Sequence, residues 1–111
     1  MAAHKRTYAL YTKEATALLG KMIRHGRKQR QMTEHELAAR LGIARSTLQR
    51  VEKGDPKVEI GIMFEAAALV GVALFEAEER NIKARSARMD DRLAVLPKHV
   101  HKTRTKVMDE F

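Results

Sequence analysis

Arg45, Ser46, Gln49, Arg50 and Lys53 lie at one-turn spacings within the run ARSTLQRVEKG. If that run is helical, the five side chains fall within about 140° of arc, at 100° per residue. They form a face of hydrogen-bond donors with no acid among them, and Glu52 sits at its edge. Ala44, Thr47, Leu48 and Val51 fall on the opposite, apolar side. Guanidinium, amide and hydroxyl donors on one face suit a polyanion. They can bond phosphate oxygens, and an arginine fork matches O6 and N7 of guanine in a major groove.

Other chemistries find less support. His35-Glu36 begins like the H-E-x-x-H zinc motif, but position 39 is Ala39, so the second ligand is missing. His99 and His101 lie in a polar tail, where histidine is ordinarily solvated. There is no glycine-rich phosphate loop and no spaced nucleophile–base pair. The chain has no cysteine, which removes disulfides and thiolate metal sites. No metal, cofactor or catalytic residue is therefore expected, and the protein reads as a binding protein, not an enzyme. Two Tyr, three Phe and no Trp offer little of the stacking platform that most RNA-binding modules use.

The net charge of +8 is uneven along the 111 residues. Residues 1–30 carry +7, residues 31–79 carry −4 and residues 80–111 carry +5. The positive charge that draws a polyanion thus flanks the segment holding the donor face. A basic tail could equally meet an acidic protein partner, and the two roles are compatible.

Positioning that face takes several helices. Ala, Leu, Glu, Arg and Lys dominate, a composition that favours helix over sheet. Residues 1–11 read as a loose arm, docked by Tyr8, Leu10 and Tyr11. A first helix is expected after Thr12, with Leu18, Leu19, Met22 and Ile23 apolar and Lys21, Arg24, Arg27 and Lys28 on the other side; Gly26 weakens its end. Thr33-Glu34-His35-Glu36 is a capping box opening a second helix. Leu37, Ala38 and Leu41 face its core side, and Gly42 stops it. A third helix runs from about Arg45 to Lys53 and ends at Gly54-Asp55-Pro56. A fourth, about Glu59 to Val70, is apolar nearly all round and is expected to be central and buried; Gly71 closes it. From Leu74 to about Leu93 the pattern is helical and highly charged, and Phe75, Ile82, Met89 and Leu93 form a narrow, roughly seven-residue seam suited to a dimer partner's helix or to packing onto the protein's own core. Pro97 breaks that pattern.

A capped two-turn helix, a short bend with glycine and a second short helix is the geometry that holds a reading helix across a DNA groove. The run RKQRQMTEHELAARLGIARSTLQRVEKGDP resembles the XRE, or lambdoid-repressor-like, helix-turn-helix family over roughly residues 15–72. Ala38 matches the small residue that lets the two helices approach, Gly42 the turn glycine, and Ile43, Leu48 and Val51 the locking apolar positions. The resemblance implies base reading by Arg45, Ser46 and Arg50 with Gln49 adjacent, and phosphate contacts from Arg30, Thr33 and Lys53. Two positions depart from the family pattern. Ala44 stands where a capping Ser or Thr is common. Glu34 stands where a Gln often touches phosphate, and its carboxylate would repel that group. TLQRVEKGDPKVEI and the later LPKHV further resemble the HipB-like subgroup, antitoxins that repress their own operon as dimers and pair with HipA-like kinase toxins.

The expectation is an all-α, five-helix, lambda-repressor-like DNA-binding domain with a flexible basic C-terminal tail. The organisation is an arm (1–11), a helix-turn-helix domain (12–73), a helical dimerisation or partner segment (74–96) and the tail (97–111). The resemblance implies a homodimer on a pseudo-palindromic operator in double-stranded DNA, with a HipA-like toxin as a further partner; a stand-alone regulator is the alternative. The polar N-terminus and the absence of a sufficiently long apolar run imply a cytoplasmic, nucleoid-associated protein without membrane contact.

Overall fold

The computed structural model describes residues 7–75 and 79–102, with residues 79 and 80 described by backbone alone. Its order is α1 (Leu10–Gln29), α2 (Glu34–Leu41), α3 (Arg45–Lys53), α4 (Ile60–Leu69) and α5 (Glu79–Ala94). There is no strand among the described residues, so the architecture is the expected all-α, five-helix one. The described residues fall into two compact units, divided between Leu74 and Phe75.

In the first unit α3 packs on α1 and α2, and α4 packs on the same two helices. The core is Ile23, Leu37, Ala38, Leu48, Val51, Met63, Ala66, Ala67 and Val70. α1 begins at Leu10, ahead of the boundary expected after Thr12. Its N-cap, Ala9, offers no side-chain acceptor. Leu10 and Tyr11 stand in its exposed first turn, so of the three docking residues expected in the arm only Tyr8 is even half-buried.

The inner face of α1 also differs from the hydrophobic pattern. Leu19 and Ile23 do pack inward, but Leu18 and Met22 are exposed. The remaining inward positions are Gly20, Gly26 and Arg27. The glycines are required by close approach. A Cβ on Gly20 would stand 2.6 Å from the Glu52 carbonyl oxygen, and one on Gly26 would stand 2.7 Å from that of Val70. Gly26 therefore seats α1 against the end of α4, whatever it costs in helix propensity.

The α2 boundaries follow local chemistry. The Thr33 hydroxyl accepts from the Glu36 amide at 3.0 Å, and the Glu36 carboxylate accepts from the Thr33 amide at 2.8 Å. Gly42 ends the helix in the left-handed region, at φ 68°, which L side chains adopt only with strain. α3 ends similarly at Gly54, at φ 77°.

The expectation that the apolar α4 is central and buried holds on one side of the helix and not on the other. Met63, Ala66, Ala67 and Val70 are buried, whereas Ile60 is 73% exposed and Phe64 and Leu69 are also exposed. Only the side turned to α1 and α2 is covered, and a uniformly apolar sequence gives no phase from which to predict that side.

In the second unit α5 ends at Ala94, three residues before Pro97, which disfavours helix in the residue ahead of it. Phe75, Ile82, Arg85, Ser86 and Met89 line one shallow hollow, and the Arg85 guanidinium stands 5.9 Å from the Phe75 ring centre. Phe75, Ile82 and Met89 of the predicted seam therefore lie together, but Leu74 and Phe75 stand in a bend ahead of α5 and not in the helix expected from Leu74; Ile82, Met89 and Leu93 are about half exposed. The expected tail, 97–111, falls largely on residues 103–111, outside the described residues.

Candidate nucleic-acid interface

α3 presents Arg45, Ser46, Gln49, Arg50 and Lys53 to solvent together. Leu48 and Val51 are fully buried beneath them, so the core fixes the helix's rotation and hence the outward face. Thr47 is half-buried, and Ala44, expected on the inner side, is exposed. Ala44 has the extended backbone of an N-cap but makes no side-chain cap bond.

Glu52, expected at the edge of the donor face, is turned inward. Its carboxylate accepts from Arg27 Nε at 2.6 Å and Nη2 at 3.0 Å, with both side chains over 90% buried. Arg27 Nη1 also donates to the Met32 carbonyl at 2.9 Å. One guanidinium thus ties α1, the turn before α2 and the end of α3 together. It also turns the Glu52 carboxylate away from the donor face. Helical periodicity alone puts Arg27 on the solvated side of α1, and the structure corrects that placement.

The outward donors are held by two carboxylates. Glu34 Oε1 accepts from Arg45 Nε at 2.9 Å and from Gln49 Nε2 at 3.1 Å. Arg50 Nε donates to Asp55 Oδ2 at 2.8 Å, and the Lys57 amide donates to Asp55 Oδ1 at 2.9 Å. The bonds from Arg45 and then Gln49 hold Glu34 below the usual carboxylate range, while those from the Lys57 amide and then Arg50 do so for Asp55. Both acids are therefore ionised at neutral pH. These pairs are solvent-exposed and screened, so each is weak.

Of the expected phosphate contacts, Lys53 lines a polar hollow of about 280 Å³ with Arg24, Glu34, Gln49 and Glu52. Thr33 is exposed, and its oxygen accepts in the α2 cap. Arg30 is placed differently. Its guanidinium donates to the Val70 carbonyl and lies against Gly71, satisfying a C-terminal carbonyl of α4. Arg24, beside Lys53, is a cation that the motif does not single out; its signal in the sequence is its place on the charged side of the first helix.

Among the described residues no group of His, Asp and Glu is placed to hold a metal ion, and no helix is long and apolar enough to cross a membrane.

Residues 23–76 match the family model described as Helix-turn-helix. No curated protein and no solved structure matches the chain. The matched stretch runs from the second half of α1 past the end of α4 and takes in α2, α3 and the bend between them. With the exposed donor face of α3, it supports the class of a DNA-binding transcription regulator.

Proposed function

We propose that the protein is a sequence-specific repressor that binds a pseudo-palindromic operator as a homodimer. The observation that carries this reading is the α3 donor face, with Arg45, Ser46, Gln49 and Arg50 all exposed over the buried Leu48 and Val51. Those four side chains read base edges, and Lys53, Thr33 and Arg24 bond the flanking phosphates. Arg30 is a weaker phosphate ligand, because it first has to leave the Val70 carbonyl. One short reading helix buries too little surface for a strongly specific complex. Two copies joined through the Phe75, Ile82, Met89 and Leu93 face give two half-sites related by a twofold axis, which an inverted repeat matches.

The finer role follows from the resemblance of TLQRVEKGDPKVEI and LPKHV to the HipB-like subgroup. On that reading the repressor is the antitoxin of its own operon and neutralises a HipA-like kinase toxin. The alternative is a regulator with no toxin partner.

The test is selection of bound duplexes from a random pool by the full chain, followed by co-expression with the product of the neighbouring gene. An enriched inverted repeat supports the operator reading, and a pool without enrichment contradicts it. Co-purification of a kinase-like neighbour, with rescue of growth, supports the antitoxin role. A neighbour unrelated to any toxin leaves the stand-alone regulator.

A further inference from the structure

Glu34 is the acid at the start of α2, and it faces two of the reading donors at once. Arg45 and Gln49 are four residues apart on α3, so their side chains are neighbours on one face. Both donate to the same atom, Oε1 of Glu34, at 2.9 and 3.1 Å. A carboxylate only accepts hydrogen bonds. It therefore dictates which pole of each partner it engages. Gln49 must turn its amide nitrogen towards Glu34, which directs its carbonyl oxygen away. Arg45 uses Nε, which leaves the Nη1 and Nη2 ends of the guanidinium for another acceptor. The Glu34 side chain is itself 29% exposed, against 66% for Arg45, so the acid lies behind the arginine it holds.

We propose that Glu34 is a specificity-determining positioning residue: it sets the polarity of Gln49 and the fork direction of Arg45, and so couples the choice of two nearby bases. This rests on the operator reading above. The terminal fork of Arg45 selects guanine, which offers O6 and N7 as a pair of acceptors. The outward oxygen of Gln49 selects a base with an exocyclic amine in the major groove, adenine through N6 or cytosine through N4. Guanine and thymine present only acceptors there, and the buttressed glutamine meets them with its oxygen foremost. Without Glu34 the amide turns freely and can offer either pole, so all four bases become acceptable at that position.

The same acid opposes phosphate by charge. Its removal therefore separates two effects that a purely structural role would not: non-specific affinity holds or rises while base preference falls.

The experiment is parallel selection from a random duplex pool with the wild-type full chain, Glu34→Ala and Gln49→Ala, with binding to unrelated duplex measured for each. Gln49→Ala identifies the base position that residue reads. For the wild type we expect adenine or cytosine there and guanine at a nearby position. For Glu34→Ala we expect the preference at the Gln49 position to drop by about tenfold or more, with the guanine preference weakened and binding to unrelated duplex retained or strengthened. Retained binding, with unchanged helical circular dichroism, shows that the variant is folded; the α2 capping box uses Thr33 and Glu36, not Glu34. A Glu34→Ala motif identical to a clear wild-type motif overturns the role of Glu34 alone. A wild-type pool without any motif overturns the operator reading and this inference with it.

Discussion

Glu52 shows how one residue can look like a flaw in a binding face and be part of its support. Moving two charges out of water costs several kcal/mol per ion, and only good geometry offsets it. Here Arg27 and Glu52 make two mutual bonds, at 2.6 and 3.0 Å, and the third arginine bond goes to the Met32 carbonyl. Glu52→Ala leaves Arg27 buried without its counter-charge and should cost about 3–5 kcal/mol in urea denaturation. Arg27→Met combined with Glu52→Leu should recover most of that loss. A Glu52→Ala cost below about 1 kcal/mol, the range of an exposed pair, would contradict the account. The pair is not legible in the sequence, because it joins residues 25 apart and helical periodicity carries no information about which helices meet. The available hint is that Glu52 lies next to Leu48 when the α3 run is drawn as a helix.

At the scale of elements, the parts legible in sequence are those fixed by chemistry within a few residues. The Thr33–Glu36 box, the left-handed Gly42 and Gly54, and the whole of α3 are of this kind. The parts that differ depend on a neighbour. Apolar spacing assigns α1 an inner face of large side chains, but two glycines and an arginine occupy much of that face. Gly20 and Gly54 lie where α1 meets the end of α3. A Cβ on Gly54 would lie 2.5 Å from Ala17 Cα, and one on Gly20 would lie 2.7 Å from the Val51 carbonyl. Because the obstructing atoms are backbone, Gly20→Ala forces the helices apart despite its better helix propensity. We expect a loss of about 1–3 kcal/mol, read as a lowered urea midpoint; an unchanged or raised midpoint would show that the crossing is looser. Ala44→Ser should act oppositely. It supplies the missing side-chain cap of α3 and should gain about 1 kcal/mol, whereas no gain would mean that the α3 amides are already satisfied.

Across the whole molecule, the donor face sits in the segment of net charge −4, between flanks of +7 and +5. Burial of Glu52 against Arg27, and the pairing of Glu34 and Asp55 with arginines, explain how an acidic segment can still present a face of donors without unpaired carboxylates. Long-range attraction then has to come from the flanks. Truncation after Leu96 removes Lys98, Lys102, Arg104 and Lys106. The salt dependence of DNA binding should then flatten, by about 0.9 in log–log slope for each phosphate no longer neutralised. An unaltered slope would assign those residues to a protein partner or to no role in binding. The charge asymmetry is plain in the sequence. The half-exposed face of α5 is also anticipated by its seven-residue spacing, although spacing alone does not say what covers it.

α3 reads DNA, on this account, through the face that begins at Arg45. The most direct test is the affinity of Arg45→Ala, Arg50→Ala and the double variant for the selected operator and for an unrelated duplex, at one fixed salt concentration. Each single change should cost about 1–3 kcal/mol on the operator, a weakening of roughly fivefold to 150-fold, and should flatten preference at one base position. The double variant should approach the affinity for unrelated duplex. A double variant that binds the operator as tightly and as selectively as the wild type would contradict the claim.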